Sequence, residues 1–250
     1  MTRLLFIALL LSSAVVSAKD VAADGAKLDG SKLVVHAAGQ IVEGDRLAGA
    51  EIGAAGGNRY RIEKYEAPEP GKDIHRYVVS AWDGAGWVPF CKDAAAAVPI
   101  YGYWDNSGAK HRSKDVTFAC VNAALGKCVN FGYRPWVSRE LDLLHQSCVR
   151  LLRADYCGDG RSFTKDGTQI SINDTIGINP DDGANWNMEA EWTPRGARCL
   201  ARARLPDTKL PACARRRMLK HCGATRPDGT LKSGAKLWNA VPPPGTVPKL

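Results

Sequence analysis

Three polar residues, His145, Asp155 and Tyr156, carry side chains that hydrolytic enzymes use for acid–base or nucleophilic chemistry. A histidine paired with an aspartate beside a nucleophile is the usual hydrolytic arrangement. His145 and Asp155 are ten residues apart in the sequence, which is about 15 Å along a continuous helix, so they cannot touch within one helix. No Gly-x-Ser-x-Gly motif is present. We therefore favour a structural interpretation, in which Asp155 and Arg153 cap or pair at a helix end while Tyr156 packs. A hydrolase site around His145 and Asp155 is the alternative hypothesis.

Carboxylates cluster in the second half of the chain. Glu189 and Glu191 are roughly 7 Å apart if they lie on one strand, and paired carboxylates at such distances can serve glycoside hydrolysis. Adjacent carboxylates on a strand are more typical of a solvated face. An aspartate set could suggest calcium, but its spacing matches no EF-hand loop, and Asp-Gly pairs are ordinary turn formers. That set is Asp159, Asp166, Asp174, Asp181 and Asp182. We predict turns there, no metal site and no cofactor.

Tryptophan and tyrosine are concentrated in short runs such as Tyr101-Gly102-Tyr103-Trp104 and Tyr133-Arg134-Pro135-Trp136. Such rings could form a platform for a sugar or a peptide, because aromatic side chains suit interfaces as well as cores. In a small exported domain, core positions are the more typical explanation.

The basic segment, residues 195–222, is the strongest candidate for contact with a partner. It holds nine basic residues and one acidic residue, Asp207, in a chain of formal net charge +8. Guanidinium groups suit phosphate or carboxylate ligands, although a solvated basic helix is the alternative. The residues predicted to bind anions are Arg198, Arg202, Arg215, Arg216 and Arg217. The candidate partners are an anionic envelope lipid, a polysaccharide or another exported protein, and export disfavours nucleic acid.

Residues 1–18 predict a signal peptide. Met1-Thr2-Arg3 precedes an apolar run that ends near Val16-Ser17-Ala18, a small-residue cleavage site. This run is shorter than the roughly 18 to 20 residues that span a bilayer as a helix, and no transmembrane span is predicted in the mature chain. We expect an exported protein that is periplasmic, on the cell surface or secreted.

The eight cysteines all lie in the mature chain. An even number of cysteines in an exported chain favours disulfides over free thiols. Zinc is the competing explanation, but no Cys-x-x-Cys pair exists. The predicted structural disulfides use Cys91, Cys120, Cys128, Cys148, Cys157, Cys199, Cys213 and Cys222.

The elements that position these groups begin with a linker at residues 19–30, followed by a β-rich N-terminal part at residues 31–113. The strands predicted in that part are residues 33–35, 47–52, 60–65, 77–82, 87–90 and 97–104. The clearest hairpin turns through Asp83-Gly84-Ala85-Gly86, where glycine supplies the positive φ angles that a tight turn needs.

Two helices are predicted next, over residues 117–129 and from the Ser138 cap to about Arg153. With a short link they should form an antiparallel hairpin. Eight residues of helix rise roughly 12 Å, which excludes a bond between Cys120 and Cys128 on a continuous helix. If the two predicted helices pack antiparallel about the link between them, Cys120 of the first lies opposite Cys148 of the second. We therefore predict a Cys120–Cys148 disulfide and leave the other pairings open.

The remaining chain predicts a second hairpin over residues 163–172, turning at Asp166-Gly167, and a strand at residues 188–192. Residues 206–250 form a basic and then proline-rich C-terminal segment. The predicted fold class is α+β, in which a β-rich N-terminal part packs on a helical hairpin and disulfides stabilise the whole.

The run Arg153-Ala154-Asp155-Tyr156-Cys157-Gly158-Asp159-Gly160, preceded by His145-Gln146-Ser147-Cys148, resembles the ADYC domain of exported bacterial proteins. Supporting runs are Trp87-Val88-Pro89-Phe90-Cys91, Lys127-Cys128-Val129-Asn130-Phe131-Gly132, Asp166-Gly167-Thr168, Glu189-Ala190-Glu191-Trp192 and Gly196-Ala197-Arg198-Cys199. The likeness covers roughly residues 30–205, with residues 114–205 as the family-like core of helical hairpin plus β hairpin. The resemblance implies export and a cysteine-stabilised domain, and it supplies no catalytic residue. The favoured hypothesis is a non-enzymatic binding or structural module of the envelope or exterior, and an exported hydrolase is the alternative.

Overall fold

The computed structural model describes residues 26–37, 39–53, 58–181, 185–219, 222–226 and 230–243. The predicted signal peptide and Asp182 lie outside these residues. So do the last seven residues of the proline-rich tail.

The first sheet is an antiparallel meander of three short strands. They are β1 (Ala26–Asp29), β2 (Lys32–Ala37) and β3 (Gln40–Glu43). Strand β1 uses the last residues of the segment predicted as a linker. Leu33 and Val35 of β2 are buried, so this sheet covers part of the N-terminal core.

The second sheet has six strands in the order β4-β5-β6-β8-β9, with β7 paired to β6. They are β4 (Glu51–Gly53), β5 (Arg59–Glu66), β6 (Arg76–Trp82), β7 (Trp87–Pro89), β8 (Ala97–Trp104) and β9 (Lys110–Cys120). The β6–β7 hairpin is confirmed, and its turn is fixed by Asp83, whose carboxylate accepts the backbone N–H groups of Ala85 and Gly86. Strand β8 has the bounds predicted for it.

Strand β9 replaces the first half of the helix predicted over residues 117–129. Both faces of the sheet are covered there. Phe118 packs in the N-terminal core, whereas its neighbour Ala119 packs in a second core beneath the helices. A strand buried on both faces loses the apolar–polar alternation that identifies a strand from sequence. The predicted helix therefore begins later, at Ala124.

Three helices follow, α1 (Ala124–Asn130), α2 (Arg139–Leu152) and α3 (Ala212–Arg216). Ser138 caps α2 as predicted, because its side-chain oxygen accepts the N–H of Leu141 at 3.1 Å. Gly126 lets α1 lie against the end of β9, since a Cβ atom there would overlap the carbonyl of Cys120. In the described ranges, no helix has the length and apolar character needed to cross a membrane.

The third sheet has the order β10-β13-β11-β12. Its strands are β10 (Asn173–Asp174), β11 (Asn187–Thr193), β12 (Gly196–Leu200) and β13 (Leu237–Val241). The hairpin predicted over residues 163–172 is wrong, because the structure has a turn at Asp166-Gly167 without flanking strands. The hairpin of this region is β11–β12, and β13 comes from the segment predicted to be basic and proline-rich.

All eight cysteines form disulfides, and this prediction is confirmed. The bonds are Cys91–Cys120, Cys128–Cys148, Cys157–Cys213 and Cys199–Cys222. The predicted Cys120–Cys148 pairing is wrong, because Cys120 ends a strand and Cys128 is the α1 residue that faces α2. The α+β fold class is confirmed. Helices α1 and α2 lie between the second sheet, which contacts α1, and the third sheet, which packs on α2.

Replacing Cys128 and Cys148 together by serine should lower the free energy of unfolding by about 3 kcal/mol, since this bond closes a loop of roughly 20 residues. Urea unfolding of the variant and the parent measures the difference. Digestion of the unreduced parent, followed by mass spectrometry, should give one peptide pair holding Cys91 and Cys120 and another holding Cys128 and Cys148. A peptide pair joining Cys120 to Cys148 would contradict this connectivity.

Candidate anion-binding groove

The chain leaves helix α2 through a left-handed residue, Ala154, with φ of +49°. The N–H of Ala154 donates to the carbonyl of Leu151, and the N–H of Asp155 donates to the carbonyl of Arg150. These two bonds are the Schellman pattern that usually ends in glycine. Alanine takes the position here, and its methyl group is fully buried in the core between the helices and the third sheet.

Asp155 is fully buried and organises the loop that follows it. One carboxylate oxygen accepts the N–H groups of Gly158 and Asp159 at 2.8 and 3.1 Å, and the other accepts the N–H of Gly160 at 2.9 Å. The second oxygen also accepts a hydrogen bond from Arg150. Asp155 therefore pairs with Arg150, where the sequence suggested Arg153.

Arg150 connects helix α2 to both large sheets. Its guanidinium donates to the carbonyl of Ser107 at 2.6 Å, in the turn between β8 and β9. It also donates to the carbonyl of Pro194 at 3.1 Å, in the turn between β11 and β12. The buried pair of Arg150 and Asp155 thus sets the position of the β11–β12 turn.

Tyr156 packs in the core, as predicted. Its ring stacks between Phe163 and Trp192, with centroid distances of 5.7 and 5.6 Å. Its hydroxyl donates to Glu189 at 3.0 Å and accepts the backbone N–H of Arg204 at 2.7 Å. Burial and the nearby carboxylate of Glu189 raise the pKa of Tyr156 well above its ordinary value, so the hydroxyl stays protonated.

Glu189 and Glu191 are both buried, which corrects the interpretation that they form a solvated face. Glu189 accepts hydrogen bonds from Arg204 and Asn239 as well as Tyr156, so it belongs to a closed polar network. Glu191 accepts the N–H of Gly223 at 2.7 Å. Its other oxygen has no hydrogen-bond partner in the described part of the chain. These separate environments favour structural roles for both carboxylates.

His145 is buried in helix α2 and connects it to α1. Its Nε2 atom donates to the carbonyl of Leu125 at 3.0 Å, and its ring meets Trp104 edge to face. Burial, with a smaller contribution from Lys110, lowers the pKa of His145 from 6.5 to about 4. His145 and Asp155 have different hydrogen-bond partners, as expected if both are structural.

The aspartates proposed as turn formers have local partners. Asp174 is buried, accepts the hydroxyl of Tyr133 and accepts three backbone N–H groups of the following turn. Asp159 forms an ion pair with Arg161 at 2.6 Å. For these two aspartates, the contacts match the predicted turns.

Two glycines bring the β11–β12 turn against the segment 154–160. Gly158 has φ of +73° and Gly196 has φ of +97°. A Cβ atom on Gly158 would overlap the carbonyl of Arg195, and one on Gly196 would overlap the N–H of Gly158. The backbones approach so closely that neither position has room for a side chain.

This close approach forms the arginine groove, defined here by the guanidinium groups of Arg195, Arg198 and Arg217. The groove has a volume of about 330 Å³, and no carboxylate is among its described lining residues. Arg217 also donates to the carbonyl of Tyr156, which fixes its position. Burial lowers the pKa of Arg217, although nearby Asp155 and Asp159 oppose that shift. A guanidinium stays charged at neutral pH even so.

The groove includes two of the five arginines predicted to bind anions, Arg198 and Arg217. The others are exposed outside its lining: Arg215 donates to the carbonyl of Leu210, and Arg202 and Arg216 are solvated. Arg195 was not among the predicted residues, although Thr193-Pro194-Arg195-Gly196 carries a turn signal. Two disulfides, Cys157–Cys213 and Cys199–Cys222, hold the basic segment in place.

Residues 25–206 match the family model described as the ADYC domain, which is well over half of the chain. Comparison with curated proteins and with solved structures finds no match. The matched span includes Arg195 and Arg198 and ends before Arg217.

Gly158→Ala should lower the free energy of unfolding by about 2–4 kcal/mol. The new Cβ atom would overlap the carbonyl of Arg195, and alanine is also strained in the left-handed backbone conformation of this position. Gly167 is the matched control. It has φ of +81°, and a Cβ atom added there would have no neighbour within 4 Å, so Gly167→Ala should cost only about 1 kcal/mol. Chemical unfolding of both variants tests the difference, and equal losses would show that the close approach is absent.

Lowering the pH from about 6.5 to about 4 should destabilise the protein through His145. In this pH range the imidazole is protonated in the unfolded state and stays neutral in the folded state. The loss should reach about 3 kcal/mol at the acid end. His145→Gln keeps a donor for Leu125 and removes the titration, so its stability should fall less over this window. Urea unfolding of the parent and the variant at pH 7 and pH 4.5 measures the loss of unfolding free energy between these pH values. Equal losses in the two proteins would contradict the prediction.

Proposed function

The chain belongs to the ADYC domain family, and from that premise we propose that it is an exported, non-enzymatic module that binds anionic lipid surfaces through its arginine groove. The observation that carries the proposal is the charge of the groove, which is lined by three guanidinium groups and by no carboxylate of the described residues. Guanidinium groups bind phosphate through charge and paired hydrogen bonds. Lipid head groups present phosphate at high density.

Export is supported by the cysteines. Four disulfides would be reduced in a cytosol and persist in oxidising compartments. The periplasm, the cell surface and the exterior all meet this condition. In each of them the abundant anionic surfaces belong to the envelope.

Two exposed apolar side chains favour a lipid over the other candidate partners. Met218 and Leu219 are 47% and 43% exposed and directly follow Arg217 in the chain. Their backbone runs beside β12, because the N–H of Leu219 donates to the carbonyl of Leu200. Apolar side chains next to cations suit the head-group region of a bilayer. A polysaccharide would use the guanidinium groups and not these two side chains.

Replacing Arg195 and Arg198 together by alanine should weaken binding to anionic vesicles roughly 30-fold, since each basic residue near such a surface contributes about 1 kcal/mol. The measurement is co-sedimentation with phosphatidylcholine vesicles that contain or lack phosphatidylglycerol, at low and high salt. Met218→Ser with Leu219→Ser should also weaken vesicle binding. That second pair of changes should leave binding to a soluble acidic polysaccharide unchanged.

The matched control is Lys27→Ala with Lys92→Ala, which removes two exposed charges distant in sequence from the groove. It should retain most of the vesicle binding. The proposal that the arginine groove binds lipid would be refuted if vesicle binding persists in the Arg195 and Arg198 variant. It would also be refuted if binding falls equally in the lysine control. Binding to the polysaccharide but not to vesicles would assign the groove to that partner only if the Arg195→Ala and Arg198→Ala changes abolish the polysaccharide binding.

A further inference from the structure

A second and larger cavity lies beside the end of helix α2, where Leu152, Arg153 and Ser162 line it. It is a cleft of about 1070 Å³ between helix α1, the end of helix α2 and the loop of residues 162–170. Trp186, just before β11, and Pro242, just after β13, complete its wall. Within the described ranges, no residue lines both this cleft and the arginine groove.

The cleft is positively charged. Lys127, Arg153 and Lys165 line it, and Asp166 is the carboxylate among its described lining residues. Arg204 also reaches the wall, but Glu189 neutralises its charge through a buried ion pair at 2.9 Å. Three cations around a cleft with a single carboxylate among the described lining residues give it a positive potential, which attracts anions.

Arg153 provides a positive charge that is held in place in this wall. Its guanidinium donates to the carbonyl of Gly160, which fixes the side chain at the end of α2. Its Nε atom is buried and has no acceptor among the residues that the structure describes. Because that atom is enclosed by protein, Arg153 contributes to the cleft through the positive charge of its guanidinium.

The rest of the wall suits a hydroxylated ligand with a flat apolar face. Trp186 is half-buried and Phe131 is 37% exposed, so both present ring surface. Gln169 offers a side-chain amide. The hydroxyl oxygen of Thr164 accepts from Arg204 at 3.2 Å, which leaves its hydrogen available to donate.

We propose that this cleft binds a short acidic oligosaccharide, with Trp186 stacked on a sugar ring and with Lys127, Arg153 and Lys165 around its anionic groups. The C–H face of a sugar ring packs on an indole, and its hydroxyl groups pair with amide and hydroxyl side chains. The negative charge can come from a carboxylate, a sulfate or a phosphate. This site does not depend on lipid binding by the arginine groove.

Calorimetric titration of the full-length mature protein with matched trisaccharides tests the proposal. The probes are a trigalacturonate, its neutral methyl ester, and a sulfated and a phosphorylated trisaccharide. At least one acidic sugar should bind, and the neutral ester should bind at least about tenfold more weakly than trigalacturonate if the carboxylate is the charge recognised. Trp186 fluorescence should change on binding, and Trp186→Ala should lower the affinity for every sugar that binds.

Lys127→Gln with Lys165→Gln removes two exposed cations from the cleft without touching the core. This variant should bind the acidic sugar at least about tenfold more weakly. Lys27→Gln with Lys114→Gln, at two exposed lysines outside the cleft lining, is the control of equal charge, and Arg195→Ala with Arg198→Ala tests independence from the groove. Both should bind the acidic sugar as the parent does. The proposal is overturned if no acidic trisaccharide binds, if charge makes no difference, or if the control loses as much affinity as the cleft variant.

Discussion

One buried charge pair at the end of helix α2 holds the two halves of the protein together. Asp155 is fully buried, and taking such a charge out of water costs several kcal/mol unless other groups replace its hydration. Here the replacement is extensive, because three backbone N–H groups and the guanidinium of Arg150 surround the carboxylate. Arg150 in turn donates to Ser107 and Pro194, one beside each large sheet. Removing either partner would leave the other charge buried without compensation, at a cost of about 3–5 kcal/mol.

A second buried pair stabilises the same helix end from another direction. Arg204 donates to the carbonyls of Leu151 and Leu152, where the helix dipole favours a cation and the last carbonyls lack helical partners. Glu189 balances that cation and also accepts the hydroxyl of Tyr156. Directional bonds of this kind restrict how the third sheet can sit on the helix, more strictly than apolar contacts would. Asp155, Tyr156 and Glu189 therefore belong to the hydrogen-bond networks that join the helix to the third sheet.

The features that could be predicted from sequence are those with local causes. The β6–β7 hairpin follows from its glycine turn, strand β8 from its apolar run, and the start of α2 from Ser138. The features that were mispredicted depend on distant partners. The C-terminal end of strand β9 resembles a helix in sequence because both of its faces are buried there, and that error moved Cys120 onto the wrong element. Strand β13 pairs with residues roughly 50 positions earlier, so no local pattern marks its place in the sheet.

The same distinction applies to the two candidate sites. Charge is visible in a sequence, so Arg198 and Arg217 stand out as candidate anion ligands, but the groove that they share with Arg195 depends on a glycine contact between separate segments. The cleft draws its wall from residues between positions 122 and 242, and no stretch of sequence contains it. Both sites border the segment 154–160, one through Arg217 and Arg195, the other through Arg153. Because the buried pair of Arg150 and Asp155 fixes that segment, it also helps to hold Arg217 and Arg153, which donate to the carbonyls of Tyr156 and Gly160. Ligand binding at either site therefore needs no rearrangement of the basic side chains that the core already holds.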